Sequence, residues 1–482
     1  MYKQLLCWRY LRTRYIALAS IISVWLGVAT MIVVNGVMAG FSHEMKDRIH
    51  GILSDIVFEA RGSEGFPNCD WHMEQIQRIA GDQIDGMTPT VHTPAMLSFI
   101  YHGQATMRQV MLIGIDERTH NQVGDFGKYL QHPDNRKQLS FDLRPNNYDT
   151  HDHQSGPEAP ERTDMAPAGW EWRRIRMQQE QQYQELQRLR SAGEPASEQS
   201  ATPAKDGPPA AQDPFQNATD PFGRGQSQKA TVVDASKEQL PGTILGIALA
   251  SFRDQGGTDR FLLLPGDDVK ITCPNAGMPP KIVSESFTIV DFYESKMSEY
   301  DSNFVFVPIR ELQQLRGMID PQTGIGSVSA IQIKLKPGVD PDVVCNKLRT
   351  EFPSYAISTW REKQGPLISA VQMESAVLNI LLFMIVAVAG FGILATFFMI
   401  VVEKTRDIGI LKSLGASAQG IMGIFLGYGL ALGIVGAGAG MVTGLLFVRY
   451  INTIRSAVEW LTGQKVFDPA IYYFYKIPTI VE

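Results

Sequence analysis

Three runs of the chain contain no charged residue: Tyr15 to Phe41, Ala376 to Val402 and Ser413 to Val448. A helix crosses a hydrocarbon core of about 30 Å in about 20 residues, so each run is long enough to span a bilayer. The pattern predicts membrane helices over 15–41, 376–402 and 420–448. The first run is too long for a cleaved signal peptide, whose apolar stretch covers about 7–15 residues; it reads as a retained anchor.

Between the first two runs the pattern changes to that of a folded domain. SDIVFEA alternates like a strand, DWHMEQIQRIA has helical spacing and MTPTVHTPAMLSFI is extended. Near the other end SVSAIQIKLKP reads as a strand, DPDVVCNKLRTEF as a helix and YAISTW as a strand. Asp70 and Asp342 hold equivalent places at the two helix starts. TMRQVMLIGID, FTIVDFYES and NFVFVPI supply further strands, and LPGDDVKIT (Leu264 to Thr272) a turn into one. The predicted fold class is a membrane protein with α-helical transmembrane segments and a large α+β domain over 42–374, built of strand–helix–strand lobes. Residues 141–240 break this pattern. A polar stretch, WEWRRIRMQQEQQYQELQRLR, precedes a Pro-, Ala- and Gln-rich one. Such composition buries too little apolar surface to offset its ordering entropy, so it is expected to be a disordered insertion with one exposed helix near Trp170 to Arg190. A partner-binding arm is the alternative.

Net charge is −6 and mean hydropathy −0.08, an average that conceals this partition. The mild acidity argues against a nucleic-acid partner. Lys3, Arg9, Arg12 and Arg14 precede the first run, and Lys404, Arg406 and Lys412 separate the second from the third. The positive-inside rule makes both clusters cytoplasmic. Residues 1–14 and 403–416 are then inside, and 42–374 and 449–482 outside. Cys69, Cys273 and Cys345 fall outside, where disulfides can form. Three is odd, so at least one thiol is free or pairs between chains.

No catalytic constellation emerges. There is no G-x-x-x-x-G-K-[ST] phosphate loop, and GASAQG (Gly415 to Gly420) misses the nucleophile-elbow spacing. His151-Asp-His153 is the nearest approach to metal spacing, and no metal or cofactor is expected.

The third run is rich in glycine: Gly423/Gly427, Gly429/Gly433 and Gly436/Gly440/Gly444 stand four apart, as do Gly36 and Gly40 in the first. That spacing lets helix backbones approach closely in lipid. The runs carry no charge, and Asn35 is the one strong amide of the first, so any pathway suits a lipid-like substrate better than an ion. Between the second and third runs, EKTRDIGILKSLGAS reads as a break followed by a short helix opened by Asp407. Ile408, Ile410, Leu411 and Leu414 then share one half of the circumference, Gly409, Lys412 and Ser413 the other, and Gly415 ends the helix. A partner-docking helix is the sharper reading, a solvated hairpin the plainer one.

The motifs RYLRTRY, VNGVMAGF, LGIALA, PGDDV, EYDSNFVFV, STW and EKTRDIGILKSLGAS, in this order and spacing, resemble those of lipoprotein-releasing permeases of the LolC/LolE type. These lie within the MacB/FtsX superfamily of ABC transporters. The resemblance covers the chain outside the insertion. It implies an inner-membrane protein with a MacB-like periplasmic core domain (42–374) and an FtsX-like permease domain that is incomplete over 376–482, its fourth helix expected after Glu482. It implies a pairing with a second permease copy or paralogue. It also implies a cytoplasmic ABC ATPase on another chain, docked on a coupling helix that carries Arg406, Asp407, Ile408, Leu411, Lys412, Leu414 and Gly415, with the ATPase motion relayed to the periplasmic domain (mechanotransmission). Lipoprotein cargo, a periplasmic lipoprotein carrier and membrane lipids complete the implied partners. A MacB-like exporter and an FtsX-like activator of a cell-wall hydrolase are the alternatives.

Overall fold

A computed structural model describes residues 15–62, 64–101, 104–154, 161–193, 238–254, 259–462 and 476–480. The basic segment 1–14, which carries the first topogenic cluster, and the Pro-rich stretch 194–237 lie outside the described residues. Helices of eight residues or more are α1 (Tyr15–Ile52), α2 (Cys69–Ala80), α3 (Trp170–Gly193), α4 (Ile309–Arg316), α5 (Pro341–Glu351), α6 (Gly365–Glu403), α7 (Thr405–Ser413), α8 (Ala418–Arg449) and α9 (Ile451–Thr462). Three of them, α1, α6 and α8, are long and apolar enough to cross a membrane.

The strands are β1 (Ile56–Glu59), β2 (Ile84–Tyr101), β3 (Gln104–Ile115), β4 (Gly242–Gly246), β5 (Ser251–Arg253), β6 (Asp259–Phe261), β7 (Asp268–Pro274), β8 (Ile282–Tyr293), β9 (Phe304–Pro308), β10 (Ala330–Leu335) and β11 (Ala356–Thr359). Nine of them form one sheet in the order β11-β1-β10-β2-β3-β9-β4-β8-β7, and β5 pairs with β6 apart from it. The two strand–helix–strand units, expected as separate lobes, interlock instead. β1 inserts between β10 and β11, and β10 pairs with the start of β2. This is the strand order of a ferredoxin-like βαββαβ lobe. Neither unit alone has enough strand surface to bury its helix, whereas together they bury Ile56, Phe58, Ile76, Ile331, Ile333, Val344 and Leu348 completely.

The second lobe follows from the length of β2. Residues 84–90 of this strand pair with β10, and Met96, Leu97 and Ser98 pair with β7 along the same edge. The β7 contact closes β2, β3, β9, β4, β8 and β7 into a ring around Leu97, Leu112, Ile271, Phe287 and Phe292.

The start of the expected disordered insertion belongs to the fold. Phe141, Leu143, Tyr148, Met165 and Ala168 are all buried, and α3 is docked through its first two turns. Arg173 is fully buried and donates to the Gly266 carbonyl (3.1 Å) and to Asp268 (2.7 Å); Trp172 Nε1 donates to Asp267 (2.9 Å). Asp152, in the His-Asp-His stretch, is buried against Lys296. These side chains read as solvated because their partners lie about a hundred residues along the chain, and a local window cannot supply them. The first turn of α5 is capped by Asp340, whose side chain accepts from the Asp342 N–H, while α2 follows Asn68 in a left-handed conformation. Cys69, Cys273 and Cys345 are free thiols; burial pushes Cys69 up to about 12 and Cys273 to about 11.

His120 is buried against Phe126, their ring centroids 4.9 Å apart. Burial, reinforced by nearby His92, lowers its pKa from 6.5 to about 4. A histidine depressed in the folded state contributes stability above its unfolded pKa and loses it as pH falls through the folded one. His120 therefore costs the domain on the order of 3 kcal/mol between pH 6.5 and 4. His120→Phe should remove that slope, so the stability difference between variant and wild type widens as pH drops through this window. Parallel curves in urea titrations at pH 7 and pH 4.5 would refute it.

Candidate coupling helix and membrane crevice

Helix α8 presents every fourth residue to the rest of the chain: Tyr428, Leu432, Gly436, Gly440, Gly444 and Val448 are its buried positions along one ridge. The three glycines of this ridge face α1. A Cβ at Gly440 would lie 2.7 Å from the Trp25 carbonyl oxygen and 2.9 Å from Val28 Cβ. One at Gly436 would lie 2.8 Å from Val24 Cβ, and one at Gly444 3.1 Å from Ile32 Cβ. Trp25 Nε1 donates to Thr443 Oγ1 (2.6 Å) across the same seam.

The other glycines separate from these. Gly423, Gly427 and Gly433 have open space where a Cβ would stand, and a Cβ at Gly429 would meet only Phe397, at 3.6 Å. Gly36 faces Val448 and the Ile480 carbonyl, and Ile480 N–H donates to the Gly36 carbonyl (3.0 Å). Gly40 seats not a helix but the backbone of Pro478, 2.5 Å from where a Cβ would stand. The side chain of Asn452 holds that returning segment through both backbone groups of Ile477.

The charged stretch after α6 breaks at Lys404, three residues before the expected break at Asp407. The Lys404 carbonyl accepts the Ile408 N–H (2.9 Å) to open α7, and Thr405 Oγ1 donates back to the Val402 carbonyl (2.7 Å). Asp407 therefore sits in the first turn, paired with Lys404 Nζ at 2.7 Å. Gly415 has φ of +89°, its N–H donates to Lys412 O, and Ala416 N–H donates to Leu411 O. This is a Schellman stop, which requires the left-handed conformation that glycine adopts without strain. Ser417 then caps α8 by accepting the Gly420 N–H (3.2 Å). Between these stops α7 buries no residue: Ile410, Leu411 and Leu414 are 51%, 40% and 78% exposed. Arg406 and Lys412 are also exposed, and Ile408 is partly covered.

At the opposite ends of these helices, beside the α/β domain, α1, α6 and α8 enclose a crevice of about 870 Å³. Its wall is apolar, with Met31, Ile32, Met441 and Leu445 among its lining, and Ile480 closes one side. Asn35 and Asn379 face it from α1 and α6. Asn35 is the amide that the first uncharged run marks out; Asn379, an amide one turn inside the second run, carries the same signal in the sequence and is not among the expected site residues. Among the described residues, no group of three His, Cys, Asp or Glu side chains could hold a metal ion.

Residues 379–481 match the FtsX-like permease C-terminal family. The lipoprotein-releasing system transmembrane protein LolC of Xylella fastidiosa is 22% identical over 479 residues, covering 98% of this chain and 87% of the relative. The chain is thus similar over nearly its whole length to ABC transporter permeases of the LolC/LolE type. LolC of Neisseria meningitidis serogroup B is 27% identical over 252 residues (51% of this chain, 58% of the relative). LolE of Haemophilus influenzae is 25% identical over 182 (38% and 42%). The matched C-terminal region contains α7, α8 and most of α6.

Proposed function

We propose that the chain is the permease subunit of an inner-membrane transporter that releases lipoproteins, with its α/β domain in the periplasm and α7 in the cytoplasm. The observation that carries the reading is the exposed apolar face of α7. Three large apolar side chains, two on a helix stopped at both ends and one at its C-cap, are left uncovered by the rest of the chain, which suits docking onto a partner. Lys404, Arg406 and Lys412 favour the cytoplasmic side for it, and an ABC ATPase on another chain is the partner that an ABC permease requires. A second permease copy or paralogue completes the transporter, and a periplasmic carrier receives the cargo.

The crevice supports a lipid-bearing cargo. It lies in the domain-side half of the helices, the half that faces the outer leaflet in this orientation. Its apolar wall suits acyl chains, and Asn35 and Asn379 suit the amide and ester groups where those chains join a head. The uncharged helices suit extraction from one leaflet better than passage of an ion.

An apolar anchor buried at an interface is worth about 2 kcal/mol or more, so Leu411→Asp should weaken ATPase binding by roughly thirtyfold. The double variant Asp407→Lys, Leu411→Asp should insert normally, copurify poorly with the ATPase and fail to release lipoproteins from spheroplasts to an added carrier. Release at the wild-type rate would sink the proposal.

A further inference from the structure

Two of the membrane helices enter the α/β domain at one corner. Helix α1 ends at Ile52 and β1 begins at Ile56; β11 ends at Thr359 and α6 begins at Gly365. Strands β1 and β11 are antiparallel neighbours with Ile56 opposite Thr359, so both helices hang from the same margin of the sheet. A linker as short as Leu53-Ser54-Asp55 could act as a swivel. What lies there instead is a buried carboxylate with partners on every side.

Asp55 is 5% exposed. Its backbone carbonyl accepts the Trp360 N–H (3.1 Å), which carries the β1–β11 ladder one residue toward α6. Its Oδ2 accepts the Leu335 N–H (2.7 Å), at the point where β10 slips register against β2, and Lys334 Nζ lies 3.7 Å away. Its Oδ1 is 2.5 Å from Nε2 of His50, in the last turn of α1. The Trp360 ring lies against the His50 imidazole, centroids 5.3 Å apart. Burial alone would raise the Asp55 carboxyl, but the His50 and Leu335 hydrogen bonds and the Lys334 charge bring it below the ordinary range. Further ties brace both helices: the Gly51 carbonyl accepts the Asp125 N–H (3.1 Å), and Gln364 Nε2 donates to the Tyr300 hydroxyl (2.9 Å).

We propose that the His50–Asp55–Trp360 corner is a rigid transmission joint, with Asp55 the positioning residue that fixes α1 and α6 to the sheet margin so that a tilt of the helices turns the domain as a lever. A hinge absorbs rotation in a few backbone torsions, whereas a packed and fully bonded corner passes it on. The consequence for transport rests on the functional reading above. The stiffness does not, and it is measured without ATPase or cargo.

The test places nitroxide labels on encoded ketone side chains at position 26, on the exposed flank of α1, and position 278, on the domain surface, in the full chain in lipid nanodiscs. Native cysteines stay in place. Double electron–electron resonance should give one narrow distance in the wild type. It should be lost to a broad distribution in His50→Ala and in Asp55→Asn, which keeps an acceptor for the Leu335 amide. Should Asp55→Asn fail to fold, His50→Ala still decides, because His50 is part-exposed at a helix end. A wild-type peak in His50→Ala overturns the joint. In the reconstituted transporter both variants should keep ATP hydrolysis and lose release; a broadened peak with unimpaired release overturns the transmission role while leaving the functional reading intact.

Discussion

Glu294→Ala is expected to destabilise the α/β domain by about 3–5 kcal/mol, the usual result of removing one partner from a buried ion pair. Glu294 is 4% exposed and receives both terminal nitrogens of Arg162, at 2.8 and 2.7 Å, while Lys296 Nζ contacts its Oε1. Arg162 is equally buried and also donates from Nε to Asp259 (3.1 Å). Burial by itself would raise the Glu294 carboxyl; Arg162 and Lys296 outweigh it and hold the group well below the usual carboxylate range. Truncation leaves Arg162 charged, desolvated and short of its bidentate acceptor. The double variant Arg162→Leu, Glu294→Ala removes both charges and should cost much less than the sum of Glu294→Ala and Arg162→Leu. Urea unfolding in detergent, followed by tryptophan fluorescence, gives all four corners of the cycle. Additive single effects would show that the pair is not coupled, and that the segment around Arg162 is not bound to the core through it.

Gly440→Leu should be the most damaging change along the seam between α1 and α8. The Cβ alone would stand 2.7 Å from a backbone oxygen of α1, which cannot move aside as a side chain can. Overpacking a close seam costs about 1–3 kcal/mol for small additions, and leucine adds three further carbons. The expected outcome is separation of α1 from α8, loss of the Trp25–Thr443 hydrogen bond and early unfolding on titration with sodium dodecyl sulfate. Gly427→Leu is the matched control, because a Cβ there meets nothing within 4 Å. Equal sensitivity at 427 and 440 would mean that glycine content, rather than this seam, governs packing.

The glycine pattern shows where sequence reading stopped. A four-residue repeat announced close helix approach, but it could not rank Gly440 above Gly427, since both satisfy the same spacing. Only the crossing with α1 separates them. Gly40 carried the same signal and holds the backbone of Pro478 instead of a helix. The α/β domain behaved similarly. Strand and helix periodicity located β1, α2, β2, β10, α5 and β11, because alternation and helical spacing are local. That β1 slips between β10 and β11 was not legible, since pairing over more than 270 residues is chosen by which faces bury best. The polar start of α3 misled for a related reason. Arg173 and Trp172 look solvated until Asp267 and Asp268 are brought to them.

By itself the sequence determined the membrane runs, the short helix between two of them and its stop at Gly415. Each depends on properties of a few adjacent residues: an uncharged length, an amphipathic phase, a residue tolerant of positive φ. The tertiary structure alone decided which glycines touch α1, where the crevice lies and why Asp55 is buried. Those are contacts between distant segments, fixed by the pairing of surfaces that no local pattern encodes.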